Sequence, residues 1–288
     1  MFFLNKLISF VVELTYNIFE PLNLIRLRKN SKNMLVDYTN NPLISVYVPT
    51  YNRCDILIDR AVKSVLAQTY KNFEFIIIGD GCTDSTEKMV GKIKDSRIKF
   101  VNIERKKRKF PNTTKNHWLA GPIIPANYAL SIVRGAWIAR IDDDEEWTEN
   151  HLDKLLEYAI KNDCEFVTGD VESVIDDTSV INKGHKMYSD YFQTKHLKKN
   201  KMKNPEIGGT STILYKSYLK SFNYNKNCWR KSINSANDID LYIRFVKAGV
   251  KICHLDEVVT LQRPRPGEET IGWDAYHRDR KNKIQHFN

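Results

Sequence analysis

Short apolar runs alternate with helical segments through the first half of the chain. Four runs are rich in β-branched or aromatic residues and read as strands: residues 43–49, 73–79, 97–103 and 136–141. Between them, apolar residues recur at helical spacing over residues 55–68, 85–94 and 125–133. Strand–helix–strand alternation of this kind builds βαβ units. We therefore expect an α/β protein with a mostly parallel central sheet flanked by helices.

The first 30 residues differ from the rest of the chain. Polar residues recur there at every fourth position (Asn5, Ser9, Glu13, Asn17), which predicts an amphipathic helix with a broad apolar face. Charge interrupts the apolar run and no small-residue cleavage site follows, so neither a transmembrane helix nor a signal peptide is expected. Two interpretations stay open. The helix lies in a membrane interface, with nearby basic residues facing anionic headgroups, or it packs against protein.

These features suggest four segments. Residues 1–30 form the amphipathic helix, residues 31–42 a polar linker, residues 43–262 the main domain and residues 263–288 a basic C-terminal segment. Five widely spaced cysteines with no CxxC pair argue against a disulfide framework or zinc site and favour a reducing compartment.

The chain is basic, with a formal net charge of +10, which suits a nucleic acid, a phosphorylated small molecule or an anionic membrane surface without choosing among them. The basic run RKKRK at residues 105–109 has no accompanying nucleic-acid-binding motif. We interpret it as a solvated loop and expect no nucleic-acid partner.

Three polar clusters follow predicted strands. They are PTYNR (49–53), GDGCTDST (79–86) and DDDEE (142–146). In open α/β sheets, ligands bind outside the carboxyl ends of the strands. If the three strands are neighbours, the clusters meet in one crevice.

The acidic cluster is the most specific of the three. Adjacent carboxylates repel one another unless a cation neutralises them, and Mg²⁺ or Mn²⁺ takes such oxygen ligands together with substrate phosphates. Asp142, Asp143 and Asp144 would then form a seat for a metal ion and a diphosphate. The alternative is a helix start, where acidic residues are favourable, and we expect Glu145 and Glu146 to open the next helix in either case.

The other two clusters each have a functional and an ordinary interpretation. Asp80 has the chemistry to accept a hydrogen bond from a nucleobase or a ribose, but an Asp-Gly turn would also explain it. Arg53 stands where a diphosphate would be met, although most arginines simply lie at the surface.

Together these segments resemble one family. Residues 45–86, SVYVPTYNR through GDGCTDST, are similar to the opening of family-2 glycosyltransferases, and SVLAQTY (64–70) matches the end of their first helix. IARIDDDEEW matches their DxD segment, and NDIDLYIRFVKAG (237–249) resembles a later acidic motif. The resemblance covers roughly residues 43–249. Four motifs in order are far more specific than any one of them.

The resemblance implies a GT-A fold, with a Rossmann-like nucleotide-binding half and an acceptor-binding half, a nucleotide-sugar donor and Mn²⁺ or Mg²⁺. Position by position, it implies that Asp80 binds the base and that the nucleotide pocket is lined by Pro49, Tyr51 and Arg53. It implies that Asp144 and Asp142 bind the metal, Asp143 the ribose or sugar, and that Asp238 is the catalytic base.

Three positions need comment against the family pattern. Gly79 replaces the first of two common aspartates, and Asn237 replaces the acid before Asp238, so Asp240 is an alternative base. A helix N-cap is the ordinary interpretation of Asp238. Arg263 falls near the place where family members put a basic residue over the diphosphate, and Arg265 is a second candidate.

The function expected from these residues is an inverting, metal-dependent glycosyltransferase at the cytoplasmic face of the membrane. Its donor would be a nucleotide-sugar, with a UDP-sugar favoured, and its acceptor a glycan or a lipid-linked saccharide of surface polysaccharide synthesis. Two alternatives stay open. A sugar-phosphate nucleotidyltransferase would use similar groups but resembles a G-x-G-[ST]-R start that is absent here. A non-catalytic module would bind the sugar nucleotide or cation without releasing a nucleoside diphosphate.

Overall fold

A computed structural model describes residues 7, 10, 11, 14, 19, 20, 22–30, 41–105, 108–186, 205–231, 235–272 and 275. Nine strands form one mixed sheet, and two further strands, β8 and β9, form a separate pair. The strands in chain order are β1 (Ile44–Thr50), β2 (Phe73–Asp80), β3 (Ile98–Ile103), β4 (Trp137–Arg140), β5 (Glu145–Trp147), β6 (Phe166–Ile175), β7 (Thr178–Asn182), β8 (His185–Lys186), β9 (Glu206–Ile207), β10 (Leu214–Lys216) and β11 (Ile252–Gln262).

The sheet has a parallel half and a mixed half. Its strand order is β3-β2-β1-β4-β10-β6-β11-β5, with β7 paired to the side of β6. The first four strands run parallel, with Val46 in register with Phe75 on one side and Ala139 on the other. Strand β10 then pairs antiparallel with both β4 and β6. The predicted parallel sheet is confirmed for the first half.

Helices cover both faces of this sheet. Helix α1 joins three consecutive helical segments, the middle one a π-helical turn: Cys54–Ile56, Leu57–Val62 and Lys63–Leu66. The others are α2 (Thr86–Val90), α3 (Thr114–Ala120), α4 (Ile123–Ile132), α5 (His151–Lys161) and α6 (Asn237–Lys247). The helix predicted over residues 85–94 is shorter than expected, and α3 was not predicted.

Two apolar clusters form the core, one on each side of the sheet. Alternate strand residues divide between them, as the period of two requires: Tyr47 and Ile76 face one cluster, Val46 and Ile77 the other. Helices α4 and α6 contribute to the first cluster, and α1 and α5 to the second. Because both faces are buried, the central strands are mostly apolar, which is why they were readable in the sequence.

The acids that follow β4 do not all behave as expected. Glu145 and Glu146 lie in strand β5, which pairs antiparallel with β11, and helix α5 begins only at His151. The prediction that these two residues open the helix is therefore wrong. Pairing with Leu261 and Gln262, more than a hundred residues away, decides their conformation, and long-range pairing of this kind overrides a local helix-start signal.

The cysteine pattern was also misleading. Cys164, just before β6, forms a disulfide with Cys253 on the neighbouring β11, while Cys54, Cys82 and Cys228 are free thiols. The expectation of unpaired thiols is corrected, since the sheet brings together two cysteines that are 89 residues apart. Among the residues described, no helix has both the length and the apolar character to cross a bilayer.

Candidate active site

A cavity of about 400 Å³ opens at the carboxyl ends of β1, β2 and β4. The three polar clusters of the sequence meet there, as expected if their strands are neighbours. All nine residues predicted to form the site line this cavity: Pro49, Tyr51, Arg53, Asp80, Asp142, Asp143, Asp144, Asp238 and Arg263. One concave site thus contains both the acidic cluster and the candidate base.

The first two acids of the cluster are held by arginines. The Asp142 carboxylate accepts hydrogen bonds from Nε and Nη2 of Arg140, at 3.1 and 2.9 Å. Asp143 accepts from Thr50 Oγ1 and Arg53 Nη1, both at 2.8 Å. Burial raises the pKa of Asp142 and of Asp143, an effect that Arg140 and Arg53 oppose and the neighbouring Asp144 charge reinforces. These carboxyl groups are fixed in position, and a further cation would favour their ionised form.

Asp144 has a looser environment. Its carboxylate lies 3.6 Å from Arg53 and 3.7 Å from Arg265, while its backbone carbonyl accepts a 2.8 Å hydrogen bond from Arg60. Next to it, burial and the Asp142 and Asp144 charges raise the pKa of Glu145 to about 8. One Glu145 oxygen, Oε2, is buried and has no hydrogen-bond partner within the described chain.

The carboxylate oxygens of the acidic cluster fit a hard divalent cation. Mg²⁺ and Mn²⁺ prefer oxygen ligands, and Mg²⁺ is commonly bound by one or two carboxylates with substrate phosphates completing the shell. Asp144 is the least constrained carboxylate, and the orphaned Glu145 oxygen lies beside it in the sequence. No group of three or more His, Cys, Asp or Glu side chains is arranged as an ion site in the described ranges. A cation here would accordingly depend on the donor diphosphate.

The far end of the cavity surrounds Asp80, which is 3% exposed. Arg105 Nη1 lies 3.2 Å from Asp80 Oδ2, Arg108 pairs with the same oxygen, and the Arg105 guanidinium stacks 3.4 Å from the centre of the Tyr51 ring. The prediction that residues 105–109 form only a solvated loop is wrong for these two arginines. Their partner precedes them by 25 residues or more, so the charge run alone gave no sign of it.

Two side chains at this end have buried atoms that lack hydrogen-bond partners within the described residues. Asp80 Oδ1 is buried without a hydrogen bond, and so are Nε and Nη1 of Arg108. Burial lowers the pKa of Arg108. Buried polar atoms are nearly always satisfied, by protein, water or ligand, so this acceptor and these donors mark a place for a polar ligand.

The glycine that departs from the family pattern has a packing role. A Cβ atom at Gly79 would lie 2.7 Å from Oδ1 of Asn102. That side chain accepts from the backbone N–H of Cys82 and donates to its carbonyl, both at 2.8 Å, and so anchors the loop that follows Asp80. Gly79 leaves the space in which Asn102 holds this loop.

Asp238 lines the same cavity. It is the second residue of α6, whose N-cap is Ala236, so Asp238 does not cap its helix. Thr210 Oγ1 donates a 2.6 Å hydrogen bond to Asp238 Oδ2. The turn Thr210–Thr212 also reaches the acidic cluster, because Ser211 Oγ accepts from the backbone N–H of Asp142 at 2.9 Å. One short turn thus connects the candidate base to the candidate metal seat.

The alternative base, Asp240, has a different environment. It is fully buried, forms ion pairs with Lys231 and Arg244, and does not line the cavity. Arg244 in turn donates to the carbonyls of Phe222 and Asn223. Asp240 therefore has a structural role in holding α6, and its carboxylate is not available to a substrate.

Two arginines near the end of β11 face the acidic cluster. Arg263 is exposed at the cavity edge and lies 3.2 Å from Glu146. Arg265 is more buried and lies between Asp144 and Glu268, at 3.7 and 2.9 Å. Both are on the side of the cavity where a diphosphate bound to Asp144 would lie.

Comparison with known sequences now decides the family. The profile of glycosyl transferase family 2 matches residues 45–222, which is more than half of the chain. The chain belongs to glycosyl transferase family 2. A similar protein is UDP-Glc:alpha-D-GlcNAc-diphosphoundecaprenol beta-1,3-glucosyltransferase WfgD of Escherichia coli, 29% identical over 183 residues. That match covers 63% of this chain and 64% of WfgD. This chain spans less than two thirds of the length of the first curated relatives it matches.

Solved structures agree with the fold of this family-2 chain. Staphylococcus aureus TarS 1–349 in complex with UDP-GlcNAc has a TM-score of 0.55 at 18% identity, over 78% of this chain and 60% of TarS. The mannosyltransferase PcManGT of Pyrobaculum calidifontis, in complex with GDP-Man and Mn²⁺, has a TM-score of 0.54 at 15% identity, over 92% and 70% of the two chains. The GT-A fold expected from the sequence is confirmed.

Several site residues of this family-2 chain were not predicted from the sequence, and Arg140 is the one among them that had a recognisable signal. It is 2% exposed and also donates to Asn237 Oδ1 at 3.2 Å, so it links the acidic cluster to the start of α6. Its signal was present, since an arginine ends an otherwise apolar strand two residues before a run of five acids. A buried guanidinium requires a carboxylate partner. Thr210, by contrast, has no local signal.

Proposed function

We propose that this chain is an inverting, divalent-metal-dependent glycosyltransferase that moves a sugar from a UDP-sugar to an acceptor hydroxyl. One observation carries the proposal: a single cavity holds both the acidic cluster after β4 and the Asp238 carboxylate. An inverting transfer needs these two things together, a place for the donor diphosphate and a base on the other side of the sugar.

The proposed reaction is a single displacement. The acceptor oxygen attacks the anomeric carbon of the donor, its proton passes to the Asp238 carboxylate, and the bond from that carbon to the diphosphate oxygen breaks. The Thr210 hydrogen bond to Oδ2 holds the carboxylate and leaves Oδ1 to take the proton. Arg53, Arg263 and Arg265 line the acidic side of the cavity and would stabilise the departing diphosphate.

The donor set favours Mn²⁺ or Mg²⁺ as the cofactor. When bound, the ion supplies Lewis-acid stabilisation of the leaving diphosphate. Asp144 would be its direct ligand, with Asp142 beside it; Arg140 already occupies one Asp142 oxygen and favours Asp144 for this role. Asp143, held by Thr50 and Arg53, would face the ribose or sugar. The solved relative PcManGT contains Mn²⁺, which supports a metal in this fold.

The unpartnered atoms beside Asp80 favour uracil as the base. The imide edge of uracil presents an N–H between two carbonyl oxygens. Asp80 Oδ1 would accept from that N–H, and the flanking Arg108 would donate to a carbonyl. Cytosine presents an acceptor and an amine at the matching positions. Its acceptor would face the Asp80 acceptor, and its amine would face the Arg108 donor. Pro49 and Tyr51 would line the base pocket.

We propose a glycan or lipid-linked saccharide as the acceptor, at the inner face of the membrane. WfgD, by its name, acts on a diphosphoundecaprenol-linked sugar, which supports this acceptor class. The division of the chain expected from the sequence fits such a role. Residues 43–262 would be the catalytic domain, residues 1–30 a peripheral helix, residues 31–42 a linker and residues 263–288 a basic segment.

A donor panel tests the proposal. The chain is incubated with UDP-, GDP- and CDP-sugars, Mn²⁺ or Mg²⁺ and a set of lipid-linked acceptors, and the released nucleotide is identified. We expect UDP and a product of inverted anomeric configuration. Pyrophosphate release instead would identify a nucleotidyltransferase. Donor binding without release of any nucleotide, across all donors and acceptors, would indicate a binding module and refute the proposal that the chain is an enzyme.

A further inference from the structure

The N-terminal helix has one side that packs against the domain. Glu20, Leu24 and Arg28 are spaced four residues apart and so share this side. Leu24 is 3% exposed and joins the apolar cluster that includes α4 and α6. Arg28 Nη2 lies 2.5 Å from Glu165, and Glu20 lies 3.6 Å from Arg244 on α6. These contacts attach the helix to the domain.

A neighbouring side of the helix is apolar and exposed. We define the apolar face as Leu7, Phe10, Leu14, Leu22 and Ile25, whose exposures range from 46% to 68%. Leu7, Phe10 and Leu14 are three or four residues apart, as are Leu22 and Ile25, so the members of each group share one side of a helix. Of the twelve large hydrophobic side chains exposed among the described residues, eight belong to this helix. Clustered exposure of this kind marks an interaction surface, whereas scattered exposure does not.

We propose that the apolar face binds the surface of a lipid bilayer that contains anionic headgroups. Arg26 and Lys29 are exposed beside the face, and the chain as a whole carries a net charge of +10. Apolar residues that enter the headgroup boundary, flanked by basic residues, are the signature of an interfacial helix. The helix lies on the membrane and does not cross it.

Charge argues against a second copy of the chain as the occupant. Glu20 is the only acidic residue at the described helix positions, and it is already close to Arg244. Two such helices packed face to face in parallel would bring Arg26 and Lys29 together with the same residues of the other copy, and an antiparallel pair would offer them no acidic partner besides Glu20 at the described positions. Like charges at an interface oppose association, while anionic headgroups neutralise them.

The attachment of the helix has a consequence for the active site. Glu20 contacts α6, and α6 also carries Asp238. A helix held at the bilayer would therefore fix the candidate base relative to the membrane surface, where a lipid-linked acceptor lies. This consequence rests on the proposed catalysis; the membrane contact, which specifies the peripheral role proposed for residues 1–30, is argued from the helix alone.

Vesicle flotation of the full chain tests the membrane contact. We expect at least about tenfold more binding to phosphatidylcholine vesicles that contain phosphatidylglycerol than to phosphatidylcholine alone, with the difference reduced by salt. The double variant Leu22→Asp/Ile25→Asp should bind about tenfold or more weakly. Its matched control is Val180→Asp/Ile181→Asp on β7, an equally exposed apolar pair that should bind as the wild type.

Two results would overturn the proposal. One is unchanged flotation of the helix variant. The other is a dimer in light scattering that the helix variant alone dissociates, which would assign the apolar face to self-association. Circular dichroism checks that both variants are folded. Release of UDP with a water-soluble acceptor is measured in parallel. If the chain floats with the vesicles but turns over no donor, the membrane contact is supported and the proposed catalysis is contradicted.

Discussion

Replacing Arg140 with methionine removes the buried cation between the acidic cluster and helix α6. The guanidinium is 2% exposed, donates twice to Asp142 and once to Asn237, and lies 5.2 Å from the Tyr224 ring. Burial alone would lower its pKa, but the Asp142 charge together with Tyr224 and Tyr47 outweighs that effect, so the pKa is raised well above its usual value. Arg140 therefore stays charged at every pH at which the protein is folded.

The expected loss of stability follows from these contacts. Removing one partner of a fully buried ion pair costs about 3–5 kcal/mol. The Asp142 side chain is 32% exposed, so water recovers part of this and we expect about 2–4 kcal/mol. Without Arg140, the pKa of Asp142 rises further, because the charge that opposed its burial is gone. Donor binding should then weaken at neutral pH and recover partly as the pH increases.

Urea unfolding and donor titration measure both effects. The midpoint should fall with an unchanged m-value, and UDP-sugar affinity in Mn²⁺ should depend more steeply on pH than in the wild type. The matched control is Arg134→Met, which breaks the Glu74 ion pair of an arginine that is 76% exposed and should cost under about 1 kcal/mol. An Arg140 variant as stable as this control, with wild-type donor affinity, would refute the reasoning.

Three further changes test other parts of the structure. Gly79→Asp should destabilise by about 1–3 kcal/mol, because its Cβ would lie 2.7 Å from Asn102 Oδ1, and adding Asn102→Ala should recover part of the loss in urea unfolding. Cys253→Ser removes the bond to Cys164 and should cost about 2–4 kcal/mol; dithiothreitol should have the same effect on the wild type and none on the variant. Burial lowers the pKa of His151 to about 3, well below its unfolded value. Only the unfolded state therefore takes up a proton between pH 6.5 and 5, and the free energy of unfolding of the wild type should fall by about 2 kcal/mol over that range. His151→Phe should remove this dependence of the free energy of unfolding on pH, and an unchanged pH dependence would contradict the lowered pKa of His151.

The parallel half of the fold was predictable because its signals are local. Strands β1 and β2 are buried on both faces, so each is a largely apolar run that ends at turn-forming residues. The mixed half was not predictable in this way. Strand β10 has three residues and β5 has two acids, and each is a strand only because a distant partner pairs with it. Neither contains enough sequence to indicate that partner.

The candidate site divides in a similar manner. Its predicted acids converge because the carboxyl ends of neighbouring parallel strands share one edge of the sheet. The residues that hold those acids were mostly missed. Arg105 and Arg108 belong to a charge run that looked solvated, and Thr210 looked like any polar turn residue. Side chains that contact residues far away in the chain leave no local sequence pattern, so only the fold identifies them.

The central claim is that Asp238 is the base of a glycosyl transfer, and Asp238→Asn tests it most directly. Asparagine keeps the acceptor for the Thr210 hydrogen bond but takes up no proton. With UDP-sugar, Mn²⁺ and acceptor at saturation, we expect unchanged donor affinity and a fall in kcat of at least about 100-fold. An Asp238→Asn variant that transfers sugar at the wild-type rate would contradict the account.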